Sequence, residues 1–359
     1  MSDPDMGYWT YAYDLNGNLA SQTDARGTTI TFEYDALNRL TRKGYPDQSF
    51  AQYEYDGAEN GIGFLYMKYN ASAFTRYHSY DARGRLSSEI RMIGTTMIKF
   101  DYTYDFAGRQ SSKSIYRNWT LFKTLRFEFY PESSLLKAVL NENSQPYTTV
   151  TQYSPQGKIE FMNHYNNTVT NYIYDYETGR ISVIHSYNMS QDIIDKNYAY
   201  SQAGDVTQIS NNRTGITYTY DYDHLHRLVS EQSSGDNAVA GTQVDIIEFT
   251  YAQQPGTPVH APTQTRLNGA LTEYNYTSTG NRLNRNSGIE NTIYESNPDN
   301  LISKIIQGGV ETTFYYDADT KRIKKTQGLS STLYFGEDFE IINNTSTLYI
   351  FAGNLRVAK

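Results

Sequence analysis

The residues of this chain that could do chemistry are mainly carboxylates and histidines, and one short stretch brings both together. Asp221-Tyr222-Asp223-His224-Leu225-His226 places two imidazoles beside two carboxylates, a combination that can bind zinc or a similar ion. His226, however, occupies the position that is glycine at Gly84 and Gly108 in related stretches, and His224 falls at a variable position. We therefore predict that this stretch is a turn and that the chain holds no metal.

Other reactive combinations are missing from the sequence. The 39 aspartates and glutamates allow many acid–base pairs, but such a pair needs a set distance across a cleft. The chain has no cysteine, which excludes a thiol nucleophile, a disulfide framework and a cysteine-ligated metal. Serine-nucleophile and phosphate-loop motifs are also missing. We predict no catalytic residue, no cofactor and no enzymatic activity.

The dominant feature is instead a recurring phrase, Tyr-Asp-x-x-Gly-Arg-Leu, and a recurring phrase is typical of a repeat architecture. Spacings of 21 residues separate Tyr13, Tyr34 and Tyr55. Close or degenerate copies begin at Tyr13, Tyr34, Tyr80, Tyr104, Tyr153, Tyr174, Tyr200, Tyr222, Tyr276 and Tyr316. The repeat also explains why 35 of the 359 residues are tyrosine.

The aromatic spacing predicts the elements that carry this phrase. A second aromatic residue usually stands two places before the motif tyrosine, as in Phe32/Tyr34, Tyr102/Tyr104 and Tyr274/Tyr276. A spacing of two puts both rings on one face of a β-strand, while intervening residues such as Glu33 and Thr103 point the other way. This alternation indicates half-buried strands.

The phrase itself predicts a tight turn, with aspartate accepting a local backbone bond and glycine at positive φ. Asn38 and His226 replace glycine and also tolerate that conformation. A second turn, such as residues 23–28 or 45–49, must return the chain. We therefore assign a structural role to the motif aspartates, which include Asp14, Asp35, Asp81, Asp105 and Asp175.

The predicted fold is all-β, because no segment has a helical apolar period. We expect repeated antiparallel β-hairpins that form one continuous curled or spiral sheet, because a twisted sheet that keeps adding strands must curl. Tyrosine rings are expected to stack in rows, with their hydroxyls bonded to the aspartate or backbone of the next hairpin. Irregular loops are expected at Ser233–Asn237 and around Pro255, Pro258 and Pro262.

The net charge, the lengths of the apolar runs and the composition of the terminal repeats limit the possible classes of function. The net charge of −8 argues against a nucleic-acid-binding surface, and we interpret the basic run 321–325 as a solvated strand face. No apolar run is long enough for a membrane span. The repeats run through residues 1–359 without terminal units of different composition, whereas repeat proteins usually carry such caps. We expect a single segment of a longer protein.

These motifs resemble the YD-repeat, or Rhs-repeat, family, which includes bacterial Rhs polymorphic toxins, Tc-toxin shell subunits, wall-associated proteins and teneurins. The pattern extends from about Tyr8 to Gly353, and the tail from Leu333 to Gly353 is similar to the segment that precedes the family's core domain. The Arg-Tyr-Tyr-Asp-Pro phrase of that domain is not found, so no self-cleavage site is carried over.

The resemblance implies a hollow β-shell that encloses a C-terminal toxin or cargo polypeptide. The expected partners are the remainder of the same polypeptide, namely its core and cargo domains, and other shell subunits, and the expected location is secreted or at the cell surface. A second hypothesis remains open. Exposed aromatic rings suit stacking on sugars, so the chain is alternatively a carbohydrate- or cell-surface-binding module.

Overall fold

A computed structural model of the chain describes residues 1–235, 245–251 and 258–359. Every regular element in these residues is a β-strand, so the all-β prediction is confirmed. The strands are β1 (Ser2–Asp3), β2 (Gly7–Tyr8), β3 (Thr10–Tyr13), β4 (Leu19–Thr23), β5 (Thr29–Tyr34), β6 (Leu40–Gly44), β7 (Phe50–Tyr55), β8 (Leu65–Tyr69), β9 (Ala73–Tyr80), β10 (Leu86–Ile93), β11 (Thr96–Tyr104), β12 (Gln110–Arg117), β13 (Thr120–Phe129), β14 (Leu136–Leu140), β15 (Pro146–Tyr153), β16 (Ile159–His164), β17 (Val169–Tyr174), β18 (Ile181–Tyr187), β19 (Asp192–Tyr200), β20 (Val206–Asn211), β21 (Ile216–Tyr222), β22 (Leu228–Ser234), β23 (Asp245–Tyr251), β24 (Pro262–Leu267), β25 (Ala270–Tyr276), β26 (Arg282–Asn286), β27 (Asn291–Ser296), β28 (Ile302–Gln307), β29 (Val310–Tyr316), β30 (Arg322–Gln327), β31 (Ser330–Tyr334), β32 (Phe339–Ile342), β33 (Thr345–Leu348), β34 (Ile350–Ala352) and β35 (Leu355–Ala358).

Strands β3 to β33 form one antiparallel sheet in which each strand pairs with its neighbours in the sequence. The first strand, β3, pairs with β4, and the last, β33, pairs with β32. Two short hairpins, β1–β2 and β34–β35, stand apart from this sheet. The sheet is therefore a meander, in which one edge carries every motif turn and the other edge carries every return turn, which we call a back turn.

The two predicted irregular stretches are only partly loops. Ser233 and Ser234 belong to β22, and Pro262 begins β24, so the predicted loop boundaries were wrong there. The hydroxyl side chains and the proline at a strand start are compatible with a ladder at those positions. Asp236, Asn237 and Pro255 lie outside the described residues.

The aromatic alternation is confirmed. In β5, Phe32 and Tyr34 are partly buried while Glu33 between them is exposed, and β23 and β25 follow the same pattern near their ends. We call the side of the sheet that carries these aromatic pairs the ring face, and the opposite side the outer face. The first hairpin differs because Tyr13 is 63% exposed, since no earlier hairpin covers it.

The motif turn has the same backbone geometry in successive hairpins. The N–H of Gly84 donates to the carbonyl of Asp81, and the N–H of Asp81 donates to the carbonyl of Arg85. Gly84 has φ of 75°, and the substitutes Asn38 and His226 have φ of 60° and 58°. A four-residue turn closed by a residue at positive φ gives a β-bulge, and a register shift occurs beside the motif tyrosine in β5 and β11. Because bulges increase local twist, their repetition favours a curled sheet.

The sheet curls until the chain meets itself. The back turn between β4 and β5 contacts the motif turn between β25 and β26 through Ser278 Oγ and the carbonyl of Ala25, at 3.2 Å. Tyr45, at the turn after β6, donates to Asp299, at the turn after β27, at 2.7 Å. Each contact joins turns that lie 21 strands apart. The sheet is therefore a spiral that completes one circuit and begins a second.

The main hydrophobic core lies where the second circuit folds onto the first. Ile98 and Phe100 of β11 and Ile115 of β12 are fully buried against Phe335 and Phe339 from the second circuit. The separate hairpin β34–β35 contacts β14 and β15. The C-terminal strands therefore pack on the ring face, inside the spiral, and Phe335 and Phe339 from this region join Phe100 as the fully buried aromatic side chains of the core.

Candidate functional site: the inner wall of the spiral

The motif tyrosines join each hairpin to the one before it. The hydroxyl of Tyr80 donates to the carbonyl of Leu65, the first residue of the second strand in the preceding hairpin, at 2.6 Å. The same bond, at 2.5 to 3.1 Å, recurs among the described residues at Tyr34, Tyr55, Tyr104, Tyr153, Tyr174, Tyr200, Tyr222, Tyr251, Tyr276 and Tyr316. The prediction of a backbone acceptor was correct, but the acceptor lies in the preceding hairpin rather than the next. These bonds hold the wall together along the spiral.

The predicted rows of stacked motif tyrosines were wrong, because the motif arginines occupy the space between successive rings. The guanidinium carbons of Arg39, Arg85 and Arg227 lie 4.2 to 4.4 Å from the ring centroids of the next motif tyrosines. Successive motif tyrosines are two strands apart, about 9–10 Å, which exceeds the roughly 4.5–7 Å range of ring stacking. The arginine at the end of each motif turn, just before the intervening strand, fills that gap with a cation–π contact.

The motif aspartates organise the turns, as predicted. Oδ1 of Asp81 accepts the backbone N–H groups of Arg83 and Arg85 at 2.8 and 3.0 Å, and Oδ2 accepts Nε of Arg85 at 2.7 Å. Asp35 and Asp223 make the same bonds to Arg39 and Arg227. The Arg85 side chain and then its N–H lower the pKa of Asp81 to about 2. The carboxylate is therefore committed to the turn and charged at neutral pH.

Sequence reasoning missed a line of cations on the ring face. Lys43, Lys68 and Lys113 pair across their ladders with Phe32, Tyr53 and Tyr102, so they share the face of the aromatic rings. Each lysine stands three places after the first residue of its strand, Leu40, Leu65 or Gln110. A basic residue at a position where several other hairpins carry apolar side chains, such as Val139, Met162 and Ile184, was a signal that the sequence offered.

These cations bind the second circuit of the spiral. Lys43 pairs with Asp299, Lys68 pairs with Asp319, and Lys113 Nζ lies 2.5 Å from Asp338 Oδ2. The hydroxyl of Tyr53 donates to the carbonyl of Ala318 at 2.7 Å. We call this set of contacts the seam. The seam also includes the hydrogen bond from the Asn300 side-chain amide to Asp24 Oδ2, at 3.5 Å, so it joins residues as far as 276 positions apart. It fixes the second circuit against the inner side of the first.

A buried charge cluster continues the seam toward the core. Glu89 is 2% exposed, and its Oε1 accepts Arg91 Nη2 and the hydroxyl of Tyr102, each at 2.7 Å. Arg91 Nη1 donates in turn to the carbonyl of Phe335 at 2.8 Å. Burial, and then the charge of Glu89, raises the pKa of Tyr102. Each charge in this cluster has a partner, as a buried charge requires.

Two cavities adjoin this cluster on the ring face. One has a volume of about 870 Å³ and the other about 760 Å³. Both are lined by Tyr77, Arg91, Lys113, Asp338 and Phe351. The inner wall thus encloses polar and aromatic space between the two circuits and the C-terminal strands.

The stretch 221–226, the sequence's one candidate for a metal, is divided among separate contacts. Asp223 binds Arg227, Asp221 accepts a bond from Ser230 at 2.7 Å, and Nδ1 of His226 lies 2.9 Å from Asp205. The turn prediction is confirmed for residues 223–226, whereas Asp221 and Tyr222 end strand β21. The absence of a metal at this stretch remains a prediction.

The basic run 321–325 is only partly a solvated face. Arg322 and Lys324 lie on β30 against the rings of Tyr334 and Tyr315, and Ile323 between them is buried. Aromatic rings that remain open to solvent lie outside the motif positions, at Trp119, Tyr165 and Tyr176 among others. Carbohydrate binding would have to use such rings, because the motif rings are directed inward, and it stays a prediction.

The structure is thus a curled wall of β-hairpins that are joined by tyrosine hydrogen bonds, and its C-terminal strands lie inside. Solved structures share this fold. The crystal structure of TcdB2-TccC3 matches with a TM-score of 0.75 and 15% identity, over 98% of this chain and 22% of that chain. The structure of the Photorhabdus luminescens Tc holotoxin pore with a TccC3 mutation matches with a TM-score of 0.74 and 16% identity, over 98% of this chain and 21% of that one.

A family model described as RHS Repeat matches residues 13–49, which are the first two motif hairpins and the turn that follows them. This match supports the predicted resemblance to YD-repeat, or Rhs-repeat, proteins over these residues, and the solved structures share the fold. A search among curated proteins finds no match to it. The chain spans about a fifth of the length of the solved structures it matches.

Proposed function

We propose that this chain is a structural segment of a larger YD-repeat shell that encloses a C-terminal toxin or other cargo polypeptide. The Rhs-repeat shell fold is in general a structural one, and Rhs-repeat proteins and Tc toxins are secreted or surface-associated. The described residues contain no helix long and apolar enough to cross a membrane. From the location of those relatives, we propose that the shell lies outside the cell or at its surface.

The observation that carries this proposal is the path of the C-terminal strands. Residues 350–358 lie on the ring face, where β34 and β35 contact β14 and β15, and Ile350 and Ala352 are buried in the core. A polypeptide that continued from these strands would start on the inner side of the wall. The seam between circuits supports the same function, because it closes the wall against the passage of a chain.

The free edge of the first circuit supports the proposal of further shell subunits or segments. Ala318 is the second residue of a motif turn in the second circuit and is buried at the seam. Leu15 and Phe106 hold the same position in motif turns of the first circuit, where they are almost fully exposed. We propose that another YD-repeat strip covers these uncovered turns, as the second circuit's turns are covered here. The single segment 1–359 is then one strip of a longer wall.

Limited proteolysis tests which side of the wall a C-terminal extension occupies. One variant of the full chain carries a short flexible protease site after Lys359, and the matched control carries the same site before Met1. We expect the C-terminal site to be cut more slowly, because its first residues lie against the inner wall. Equal cutting rates at the two ends, with the body of each protein intact, would refute the proposal.

A further inference from the structure

A cluster of potential metal ligands lies on the outer face of the hairpin β18–β19, away from the inner wall. His185 of β18 and Asp195 of β19 are direct cross-strand partners, and Asp192 begins β19 beside a register shift. Ile184, the neighbour of His185, pairs with Tyr172 on the ring face, so the imidazole is directed outward. The ladder brings these three side chains to one place.

The donor atoms are close enough to share one ion. One ligand atom from each of His185, Asp192 and Asp195 lies within 4.8 Å of the others, and His185 Nε2 is 2.8 Å from Asp192 Oδ1. Adjacent ligands of a metal with bonds of roughly 2.1 Å are about 3 Å apart. The His185–Asp192 pair is already close to this spacing, whereas the 4.8 Å limit on the other separations exceeds it, so the side chains must move closer together to admit an ion.

Neighbouring groups already orient the ligands. The ring of Tyr187 stacks on His185 with centroids 4.7 Å apart, which fixes the plane of the imidazole. The side-chain amide of Asn212 donates to Asp195 Oδ1 at 3.1 Å. Partners of this kind, which hold a ligand without touching the metal, are a usual part of a metal site.

The charge balance also favours a cation. In the described part of the chain no lysine or arginine forms an ion pair with Asp192 or Asp195, and the ion-pair partner of Asp192 is His185. Four motif carboxylates, in contrast, are paired with the arginine four residues later, as Asp81 is with Arg85. Two neighbouring carboxylates repel each other, and a divalent ion would remove that repulsion.

We propose that His185, Asp192 and Asp195 form a binding site for a divalent transition-metal ion of the zinc class. One imidazole and two carboxylates suit Zn²⁺, Co²⁺ or Ni²⁺ better than Ca²⁺, which takes six to eight oxygen ligands. Water completes the coordination, because the side chains of His185 and Asp192 are 33% and 52% exposed. The ion would bridge the two strands of the hairpin and stabilise the outer face there.

Calorimetric titration of the full, chelator-treated chain with ZnCl₂ tests the site. We expect one ion per chain, and at least about a tenfold loss of affinity in His185→Ala and in Asp195→Asn. The control is His226→Ala, because that imidazole is paired with the single carboxylate of Asp205, and its affinity should match the native protein. Circular dichroism of each variant verifies that the fold is retained.

Three results would overturn the proposal. They are the absence of zinc binding at millimolar concentration, equal affinity in the native protein and His185→Ala, and Ca²⁺ binding as tight as that of Zn²⁺. Cobalt offers an independent readout, since its visible spectrum changes when imidazole enters its coordination shell. The site does not depend on the proposed shell function, so either proposal can fail alone.

Discussion

Tyr80→Phe isolates the hydrogen bond that joins one hairpin to the preceding one. The substitution removes the hydroxyl that donates to the carbonyl of Leu65 at 2.6 Å. It keeps the ring, which stacks on Phe64 with centroids 4.7 Å apart. Apolar burial is therefore nearly unchanged, and the measured difference reports the hydrogen bond.

The size of the effect follows from burial. A hydrogen bond contributes about 1 kcal/mol net to the free energy of unfolding, and a buried acceptor left without a partner costs about 1–3 kcal/mol. Tyr80 is 8% exposed, so we expect a loss of about 1–2 kcal/mol. Combining it with Tyr34→Phe, Tyr55→Phe and Tyr104→Phe should lose about four times as much, because the bonds lie in different hairpins.

Urea unfolding followed by far-ultraviolet circular dichroism gives the measurement. Tyr13→Phe is the matched control, because Tyr13 holds the same motif position but is exposed and has no preceding hairpin within the main sheet. It should change the free energy of unfolding by less than about 0.5 kcal/mol. If Tyr80→Phe unfolds at the same urea concentration as Tyr13→Phe, the hydrogen bond from the motif tyrosine to the preceding hairpin does not stabilise the fold as proposed.

Three further predictions address the turns, the seam and the buried phenols. Asp81→Ala should lower the melting temperature more than Asp81→Asn, which keeps an acceptor for the N–H groups of Arg83 and Arg85; an unchanged melting temperature in Asp81→Ala would contradict its role in the turn. Asp299→Ala leaves the largely buried Lys43 without its carboxylate partner, which should lower the free energy of unfolding by about 3 kcal/mol. Amide hydrogen exchange should become faster in β28 and stay unchanged in β16. An equal change in both strands would contradict the role of the seam. Burial raises the pKa of Tyr80 and Tyr153 to about 12 from 10.0. The stability that these residues supply is therefore complete below pH 10 and is lost as the pH rises toward 12. Phenolate absorbance should rise together with unfolding in that interval, and ionisation of every tyrosine near pH 10 without unfolding would disprove the burial argument.

The hairpins could be predicted from sequence because their determinants are local. Aromatic residues two places apart, aspartate at the first turn position and a residue tolerant of positive φ at the fourth all lie within about ten residues. The substitutions at Asn38 and His226 were interpretable for the same reason, and both have the expected φ. The acceptor of the tyrosine hydroxyl was predicted less well, because its identity depends on which neighbouring hairpin the ring leans toward.

The seam and the interior position of the C-terminal strands could not be predicted in this way. Their contacts join residues 225 to 276 positions apart, and which turns meet depends on curvature accumulated over 21 strands. The ligand cluster at His185 was also hidden, because Asp195 lies ten residues away and faces it only through the register of β18 and β19. Long-range geometry of this kind is the sum of many small twists.

The alternation of motif turns and back turns along opposite edges imposes a parity rule on how such a protein can lengthen. Insertion or deletion of a complete hairpin leaves every later strand running in its former direction, so the motif tyrosine hydroxyls still reach carbonyls of the preceding hairpin. Loss of one strand would reverse all that follow and exchange the two rims. Duplication of whole hairpins therefore preserves the tyrosine hydrogen bonds as the sheet lengthens, whereas gain or loss of an odd number of strands breaks them.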